Sequence, residues 1–246
     1  MKNNKFFKKT IYLKTALSTN TLLKKGDYKD KTVVYTFHQT KGRGRGDKKW
    51  IDFKDKNIAL SFILKENLFL NNTWYVASVS LALLEILKND LKIEGCWIKW
   101  PNDVFINENK IAGILAESIW ENKKIERLIV GIGININSTR LELDTIDKRT
   151  TSIFIETGKI QDKKKFAKKL INSISKYLEI LNSPTGTKAI KEEWVKSCNI
   201  IGKNVSWTNQ NESLNGKIIG IDDNGFLELK TADANIKLVS GEIKII

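Results

Sequence analysis

The stretch Lys99-Trp-Pro-Asn-Asp103, followed seven residues later by Lys110-Ile-Ala-Gly-Ile-Leu115, is the most informative part of this chain. After Asp103, polar and apolar residues alternate, which predicts a half-buried strand; turn residues then lead into a return strand that begins at Lys110. Such a hairpin brings Asn102, Asp103 and Lys110 into one neighbourhood. A purely structural hairpin with a solvated lysine has the same pattern. Other segments of the chain are needed to distinguish a functional hairpin from a structural one.

A second segment, Val130-Gly-Ile-Gly-Ile-Asn-Ile-Asn137, alternates glycine or asparagine with isoleucine. Successive side chains of a strand point to opposite faces, so we expect the isoleucines in the core and Gly131 and Gly133 on the other face. Glycine weakens a strand unless something lies close against its backbone. The bare face predicts the floor of a ligand pocket or a closely packed helix. On the strand that begins at Lys110, the same alternation predicts that Lys110 and Gly113 point to opposite faces.

The third informative segment is the loop Gly42-Arg-Gly-Arg45, which Gln39 precedes and Trp50 follows. Glycines let backbone amides approach a ligand closely, and arginines offer bidentate donors to carboxylate and phosphate oxygens. Two of the five arginines of the chain lie in this loop, which indicates that guanidinium geometry matters there. The Gly-Lys-Ser/Thr signature of a Walker A loop is missing. A flexible surface loop remains the structural alternative.

The composition limits the classes of function. The formal net charge of the 246 residues is +14, but only five of the 42 basic residues are arginine and the lysines are spread along the whole chain. This pattern favours compositional bias, or docking to an acidic protein partner, over specific DNA binding. No apolar run is long enough to cross a membrane, and no signal-peptide pattern is present. The two cysteines lack metal-site spacing, so we expect a reducing, cytoplasmic location.

The residues that carry reaction chemistry are mostly cations and amides. His38 is the single histidine, no nucleophile elbow accompanies it, and no pair of carboxylates resembles a glycosidase site. Such a set suits the stabilisation of phosphates while two bound substrates react with each other.

Hydrophobic periodicity and turn residues predict an α+β fold with a mixed, largely antiparallel sheet and helices packed on it. We expect helices over 19–25 (capped by Ser18), 70–89, 162–181 and 188–197. The second of these helices is expected to be amphipathic, with Trp74, Ala77, Leu81 and Leu84 on one face. We expect strands over 10–17, 32–39, 57–64, 96–100, 103–107, 110–120 and 125–137, then over 204–207, 214–221, 226–229 and 236–239. The turn Asp222-Asp-Asn-Gly225 predicts a hairpin in a small C-terminal β-barrel.

Taken in order, these motifs resemble the biotin–protein ligases (biotin–[acetyl-CoA-carboxylase] ligases). The segments that carry the resemblance are Ser18-Thr-Asn20, Gln39-Thr-Lys-Gly-Arg-Gly-Arg45 with Trp50, Lys99-Trp-Pro-Asn-Asp103, Lys110-Ile-Ala-Gly-Ile-Leu115, Gly131-Ile-Gly-Ile-Asn-Ile-Asn137 and the C-terminal part from Gly202. The resemblance implies a class II synthetase-like catalytic domain over residues 1–197 and an SH3-like domain over 198–246. It also implies that biotin is activated with ATP and Mg²⁺ as biotinyl-5′-AMP and transferred to a lysine of a biotin carboxyl carrier protein.

The resemblance further implies individual roles. The catalytic charges would be Lys110, Arg43, Arg45 and Lys99. The biotin contacts would be Ser18, Thr19, Asn20, Gln39, Gly42, Arg43, Gly44, Arg45, Lys110, Gly113, Gly131 and Gly133. The ATP contacts would be Trp50, Lys99, Asn102, Asp103 and Asn135, with Asp103 also contacting the magnesium ion.

The chain departs from the family pattern in the loop, where Gly46-Asp47 stands in place of x-Gly and Lys48 in place of an arginine. Lysine keeps the charge but lacks the bidentate fork. About 17 residues precede Ser18, so we expect a ligase without the helix-turn-helix of the bifunctional members. The alternatives are a lipoate–protein ligase or octanoyltransferase of the same fold and a basic nucleic-acid-binding protein.

Overall fold

The computed structural model describes residues 6–66, 68, 72–146, 149–209 and 212–246. Within these residues, a seven-stranded main sheet has the order β1-β2-β3-β7-β6-β5-β4. Its strands are β1 Lys9–Leu13, β2 Thr32–Thr36, β3 Ile58–Leu64, β4 Cys96–Lys99, β5 Asp103–Ile106, β6 Asn109–Glu121 and β7 Lys124–Ile134. The first pair is parallel and the others are antiparallel, so the predicted mixed, largely antiparallel sheet is confirmed.

The helices of the described residues are α1 Thr19–Lys25, α2 Thr73–Glu85, α3 Arg140–Leu143, α4 Ile153–Thr157, α5 Lys163–Leu181 and α6 Gly186–Cys198, and a π-helical turn, Ile86–Asp90, follows α2. The predicted beginning of the second helix, residues 70 and 71, lies outside the described residues. The prediction missed α3 and α4 because each is about one turn long. Their local signals are a capping box between Thr139 and Glu142 and a Ser152 cap with Gly158 in the left-handed region.

Helix α2 is buried on all sides, so the predicted amphipathic stripe is wrong. Every residue from Trp74 to Leu84 is buried, including Ser78 and Ser80. The two serine hydroxyls remain satisfied because they donate to the carbonyl oxygens of Trp74 and Val76, at 2.8 and 2.7 Å. The surrounding sheet, α5 and α6 cover the whole helix. No helix of the described residues is long and apolar enough to cross a membrane.

The β5–β6 hairpin forms as predicted, but a β-bulge changes the faces of its second strand. Val104 pairs with Ala112 and Phe105 with Lys110, so Ile111 is an extra residue on β6. The extra residue puts Lys110 on the same side as Gly113, where the lysine Nζ lies 3.1 Å from the point that a Cβ on this glycine would occupy. The prediction that these two residues point to opposite faces is therefore wrong.

A second, antiparallel sheet, the C-terminal sheet, has the order β11-β10-β9-β8-β12 within the described residues. Its strands are β8 Asn204–Asn209, β9 Glu212–Ile221, β10 Leu227–Lys230, β11 Asn235–Leu238 and β12 Glu242–Ile245. The predicted β9–β10 turn is confirmed: Asp222 Oδ1 accepts from the backbone N of Asn224 at 2.8 Å and of Phe226 at 3.0 Å. The prediction missed β12, which buries only Ile243 and so carries a weak pattern.

Candidate active site

One cleft of about 1860 Å³ lies over the glycine-bearing face of β6 and β7 and collects nearly all the predicted site residues. It is lined by Ser18, Thr19, Asn20, Gln39, Arg43, Gly44, Arg45, Trp50, Lys99, Asn102, Asp103, Lys110, Gly113, Gly131, Gly133 and Asn135. Gly42 lies instead at the base of the loop, where its carbonyl accepts from the backbone N of Trp50 at 3.1 Å.

Buried polar side chains form one end of the cleft. Gln39 Oε1 accepts from the backbone N of Thr19 at 2.7 Å, at the beginning of α1. The hydroxyls of Thr19 and Ser61 lie 2.7 Å apart, and Ser61 Oγ donates to Asn20 Oδ1 at 2.6 Å. Sequence reasoning missed Ser61; the signal was a lone polar residue inside the apolar strand β3. This chain of hydrogen bonds fixes the orientation of the polar end.

The glycines of β7 let side chains from other elements lie against its backbone. A Cβ at Gly131 would overlap with the amide of Asn20, and a Cβ at Gly133 would overlap with the indole of Trp50. The intervening isoleucines lie in the core, as the alternation predicts. The two glycines therefore separate the floor of the cleft into a polar end and a Trp50 end.

Lys110 lies at the centre of the cleft. Its Nζ is 2.7 Å from Asp103 Oδ1 and 5.9 Å from the centroid of the Trp50 ring. Its backbone N donates to the Arg149 carbonyl at 3.0 Å, and its carbonyl accepts from the Thr151 backbone N at 2.9 Å. The 149–151 segment, which sequence reasoning missed, thus fixes this lysine on the bulge.

The opposite end of the cleft is aromatic and cationic. Lys99 Nζ lies 5.2 Å above the ring of Phe105, and the rings of Phe105 and Trp97 are 5.3 Å apart. Trp97 and Phe105 were missed, although Trp97 precedes Lys99 by two residues and so shares its face. Trp50 Nε1 is buried and has no hydrogen-bond partner among the described residues. A ligand that offers an acceptor would satisfy this donor.

Asn135, predicted as an ATP contact, donates from Nδ2 to the Thr151 carbonyl at 3.0 Å. Its side chain thereby holds the segment that fixes Lys110. Asn102 similarly donates from Nδ2 to the Ile114 carbonyl at 2.8 Å. Both asparagines line the cleft and also fix neighbouring backbone.

The cationic loop, residues 42–50, is fastened to both walls of the cleft. Arg43 Nη1 lies 2.9 Å from Glu117 Oε1 on β6, and Arg45 Nη1 donates to Asn102 Oδ1 at 3.1 Å. Burial lowers the pKa of Arg45, and the nearby Asp103 opposes this effect. Lys48, the residue that departs from the family pattern, contacts Glu242 on β12. The loop therefore covers the cleft from one wall to the other.

A carboxylate outside the predicted set closes the base of this loop. Asp52 Oδ2 accepts from the backbone N of Gln39 at 2.6 Å, joining the residue before the loop to one just after it. Burial raises the pKa of Asp52 to about 6, against the opposing effects of hydrogen bonds from Gln39 and Asn57 and of the nearby His38. No local sequence signal distinguishes this aspartate from a surface one.

The C-terminal sheet also contacts the cleft. Trp100 Nε1 donates to the Gly225 carbonyl in the β9–β10 turn at 3.0 Å, and Trp100 is 2% exposed. Lys191 on α6 pairs with Asp223 of the same turn at 2.6 Å. The turn that carries Asn102 therefore rests on the C-terminal sheet.

A magnesium ion binds oxygen ligands, and Asp103 is the carboxylate that the sequence predicts for it. Among the described residues, no three His, Cys, Asp or Glu side chains are grouped as metal ligands. Asp103 lines the cleft, with its Oδ1 2.7 Å from Lys110 Nζ. Magnesium commonly uses one or two carboxylates and takes its other ligands from substrate phosphates and water. The site therefore fits an ion that arrives with a phosphate-bearing ligand.

One cleft therefore combines a polar end, a lysine on the β6 bulge and an aromatic, cationic end, with the loop of residues 42–50 across it. The chain belongs to the Biotin/lipoate A/B protein ligase family, whose model matches residues 12–135. Residues 200–245 match the biotin protein ligase C terminal domain.

Relatives and solved structures agree with this assignment. The chain is 30% identical to the bifunctional ligase/repressor BirA of Bacillus subtilis (strain 168), over 87% of this chain and 66% of that protein. It therefore spans about two thirds of the length of that relative. It is 27% identical to the biotin--[acetyl-CoA-carboxylase] ligase of Paracoccus denitrificans, over 80% and 83% of the two chains. The biotin protein ligase of Aquifex aeolicus, solved with biotin and ATP, superposes with a TM-score of 0.83 at 30% identity, covering 98% of this chain and 99% of that one.

Proposed function

We propose that this protein is a biotin–protein ligase. In this proposal it joins biotin to ATP as biotinyl-5′-AMP and then transfers the biotinyl group to a lysine of a biotin carboxyl carrier protein. The observation that carries the proposal is the position of Lys110, whose Nζ lies between the polar end of the cleft and the aromatic, cationic end. A cation there meets both the carboxylate of one ligand and the α-phosphate of the other.

In the first half-reaction, a biotin carboxylate oxygen attacks the α-phosphorus of ATP, a new O–P bond forms, and pyrophosphate leaves. The ureido head of biotin would lie against Thr19, Asn20 and Gln39, whose amides and hydroxyls are already oriented by hydrogen bonds. Negative charge gathers on the phosphates, and Lys110, Lys99 and the loop arginines would offset it. Holding both ligands in one cleft makes the attack effectively unimolecular.

The Trp50 indole would pack beside the adenine. Its Nε1, for which the described part of the chain offers no hydrogen-bond partner, is a donor suited to a nucleotide acceptor. Asp103 would hold Mg²⁺, and the bound ion would supply charge neutralisation of the phosphates. Asn102 and Asn135 would keep this end of the cleft in shape through their backbone contacts.

In the second half-reaction, the neutral ε-amine of the carrier lysine attacks the acyl carbon of the anhydride, an amide forms, and AMP leaves while the nitrogen loses a proton. The loop of residues 42–50 would keep water from the anhydride until the carrier arrives, since it is fastened to both walls of the cleft. The net charge of +14 favours an acidic carrier surface.

We also propose a division at 197/198, with residues 198–246 forming an SH3-like domain. The end of α6 at Cys198 lies within one residue of this division, and a separate sheet follows it. A cytoplasmic location is supported by Cys96 and Cys198, which are both buried and free.

The decisive measurement is the exchange of labelled pyrophosphate into ATP with the purified chain and Mg²⁺, with biotin, lipoate or octanoate as the acid. We expect exchange with biotin, followed by labelling of a carrier lysine on addition of a biotin carboxyl carrier domain. Exchange with lipoate or octanoate and none with biotin would establish the lipoate-type alternative instead. Sequence-selective, salt-sensitive DNA binding without any exchange would favour the nucleic-acid-binding alternative.

A further inference from the structure

We infer that Glu117 on β6 is a positioning residue that joins the polar, biotin end of the cleft to the covering loop; this inference rests on the proposed function. Glu117 is not among the residues that line the cleft, and its side chain is 12% exposed. It nevertheless contacts two residues that do line the cleft, Asn20 and Arg43, and each of its oxygens serves a different one.

The first oxygen orients the biotin end. Glu117 Oε2 accepts from Asn20 Nδ2 at 3.1 Å, and the same amide group also donates to the Leu115 carbonyl at 3.2 Å. Asn20 Oδ1 in turn accepts from Ser61 Oγ at 2.6 Å. Because both the nitrogen and the oxygen of its side-chain amide have hydrogen-bond partners, Asn20 is held in one orientation beside Gly131. Glu117 therefore terminates the hydrogen-bond chain that shapes this end of the cleft.

The second oxygen holds the loop. Glu117 Oε1 lies 2.9 Å from Arg43 Nη1 and 3.3 Å from Lys24 Nζ. Arg43 is 74 residues away in the chain, so this contact exists only because the loop crosses to the β6 wall. The fastening point on the opposite wall is the hydrogen bond from Arg45 to Asn102. Without Glu117, the loop keeps this hydrogen bond and the contact between Lys48 and Glu242, but it loses its fastening point on the biotin side.

The electrostatics favour an ionised carboxylate at this position. Burial by itself raises the pKa of Glu117, but the hydrogen bond from Asn20 and the charges of Arg43 and Lys24 outweigh burial, and the pKa lies below its usual range. A neutral amide in its place still accepts from Asn20 but presents no charge to Arg43. The charge and the hydrogen bond can thus be separated by substitution.

The test compares Glu117→Gln with Lys24→Met in the full chain, by steady-state pyrophosphate exchange and by release of AMP without a carrier protein. Lys24 is a matched control because it contacts the same carboxylate oxygen but its side chain is 42% exposed and does not line the cleft. For Glu117→Gln we expect the KM for biotin to rise about tenfold, because one charged hydrogen bond is lost. The KM for ATP should change less than about twofold. We also expect faster AMP release, as the adenylate escapes to water and hydrolyses. Lys24→Met should match the wild type in all three readouts.

A third variant, Glu117→Asp, keeps the charge on a shorter side chain and should fall between the wild type and Glu117→Gln, whether or not the glutamine variant folds. Equal rises of both KM values in the Glu117 variants, or no change in either, would overturn the inference. A wild-type chain that shows no biotin-dependent exchange at all would instead reject the proposed function, so the two failures are distinct.

Discussion

Lys110 Nζ and Asp103 Oδ1 lie 2.7 Å apart across the β5–β6 hairpin. A bulge in β6 turns the lysine to the side of Gly113, and Asp103 is the residue of β5 that pairs with this glycine. A ligand carboxylate or phosphate that enters the cleft meets a lysine already held in place by an anion and by the backbone of the 149–151 segment. Because Lys110 is already held in place, its side chain loses little conformational freedom when ligands bind. It also makes Lys110 the residue on which the proposed chemistry depends most.

We therefore expect Lys110→Ala to reduce biotin-dependent pyrophosphate exchange by about 100-fold or more, the usual effect of removing one donor from a charge-stabilising site. The measurement is the exchange rate at saturating biotin and ATP. Lys124→Ala is the matched control because Lys124 is an exposed lysine at the start of β7, outside the cleft. Exchange by Lys110→Ala at a rate similar to that of this control would remove Lys110 from the mechanism.

Substitutions at the two glycines of β7 should change the KM values for the two ligands differently. A Cβ at Gly131 overlaps with Asn20 and Ser61, whereas a Cβ at Gly133 overlaps with Trp50. We expect Gly131→Ala to raise the KM for biotin more than the KM for ATP, and Gly133→Ala to do the reverse. Each variant serves as the control for the other, since both add one methyl group to the same strand. Identical effects of both variants on both KM values would contradict this division of the cleft.

Asp52→Asn should remove a pH dependence of stability. Burial holds the pKa of Asp52 at about 6 in the folded protein, above its usual 3.8. The folded state therefore binds this proton more tightly than the unfolded state. The resulting stabilisation is fully present below pH about 4 and is lost as the pH rises to about 6. Relative to wild type, the free energy of unfolding of Asp52→Asn should thus increase across this window and then stay level.

Denaturant unfolding at intervals between pH 4 and 8 measures this difference. The asparagine retains an oxygen that accepts from the backbone N of Gln39, so the base of the loop stays closed. Asp233→Asn is the control, because it makes the same chemical change at an exposed aspartate between β10 and β11. If the free energy of unfolding of the wild type changes with pH in parallel with that of Asp52→Asn, the Asp52 carboxyl group titrates as an ordinary one.

Trp100→Phe should weaken the contact between the main sheet and the C-terminal sheet. It removes the donor to the Gly225 carbonyl and part of a side chain that is 2% exposed. The lost hydrogen bond alone corresponds to about 1 kcal/mol, or a fall in Tm of about 2–4 °C for a chain of this size. Trp120→Phe controls for the change of residue type, since Trp120 is 55% exposed. Equal Tm values for the two variants would argue against a stabilising contact at Trp100.

The local features of the fold were predictable because their causes lie within a few residues of sequence. Ser18 accepts from the backbone N of Thr21 and begins α1 where a cap residue was expected. The glycine and isoleucine alternation assigned the two faces of β7, and the Asp222 turn defined the β9–β10 hairpin. Periodicity, capping and turn chemistry act over one to four residues, so a single sequence contains them in full.

Tertiary structure decided which residues cooperate. The sequence indicated that Lys110 and the two arginines of the loop mattered, but the order of the strands in the sheet determined that Arg43 meets Glu117 and that Lys110 meets Asp103. A one-residue bulge reversed a face that simple alternation assigned. Burial of α2 on every side and the closure of the loop by Asp52 likewise depend on elements distant in the chain. Such contacts depend on how the whole chain packs, and no local pattern encodes them.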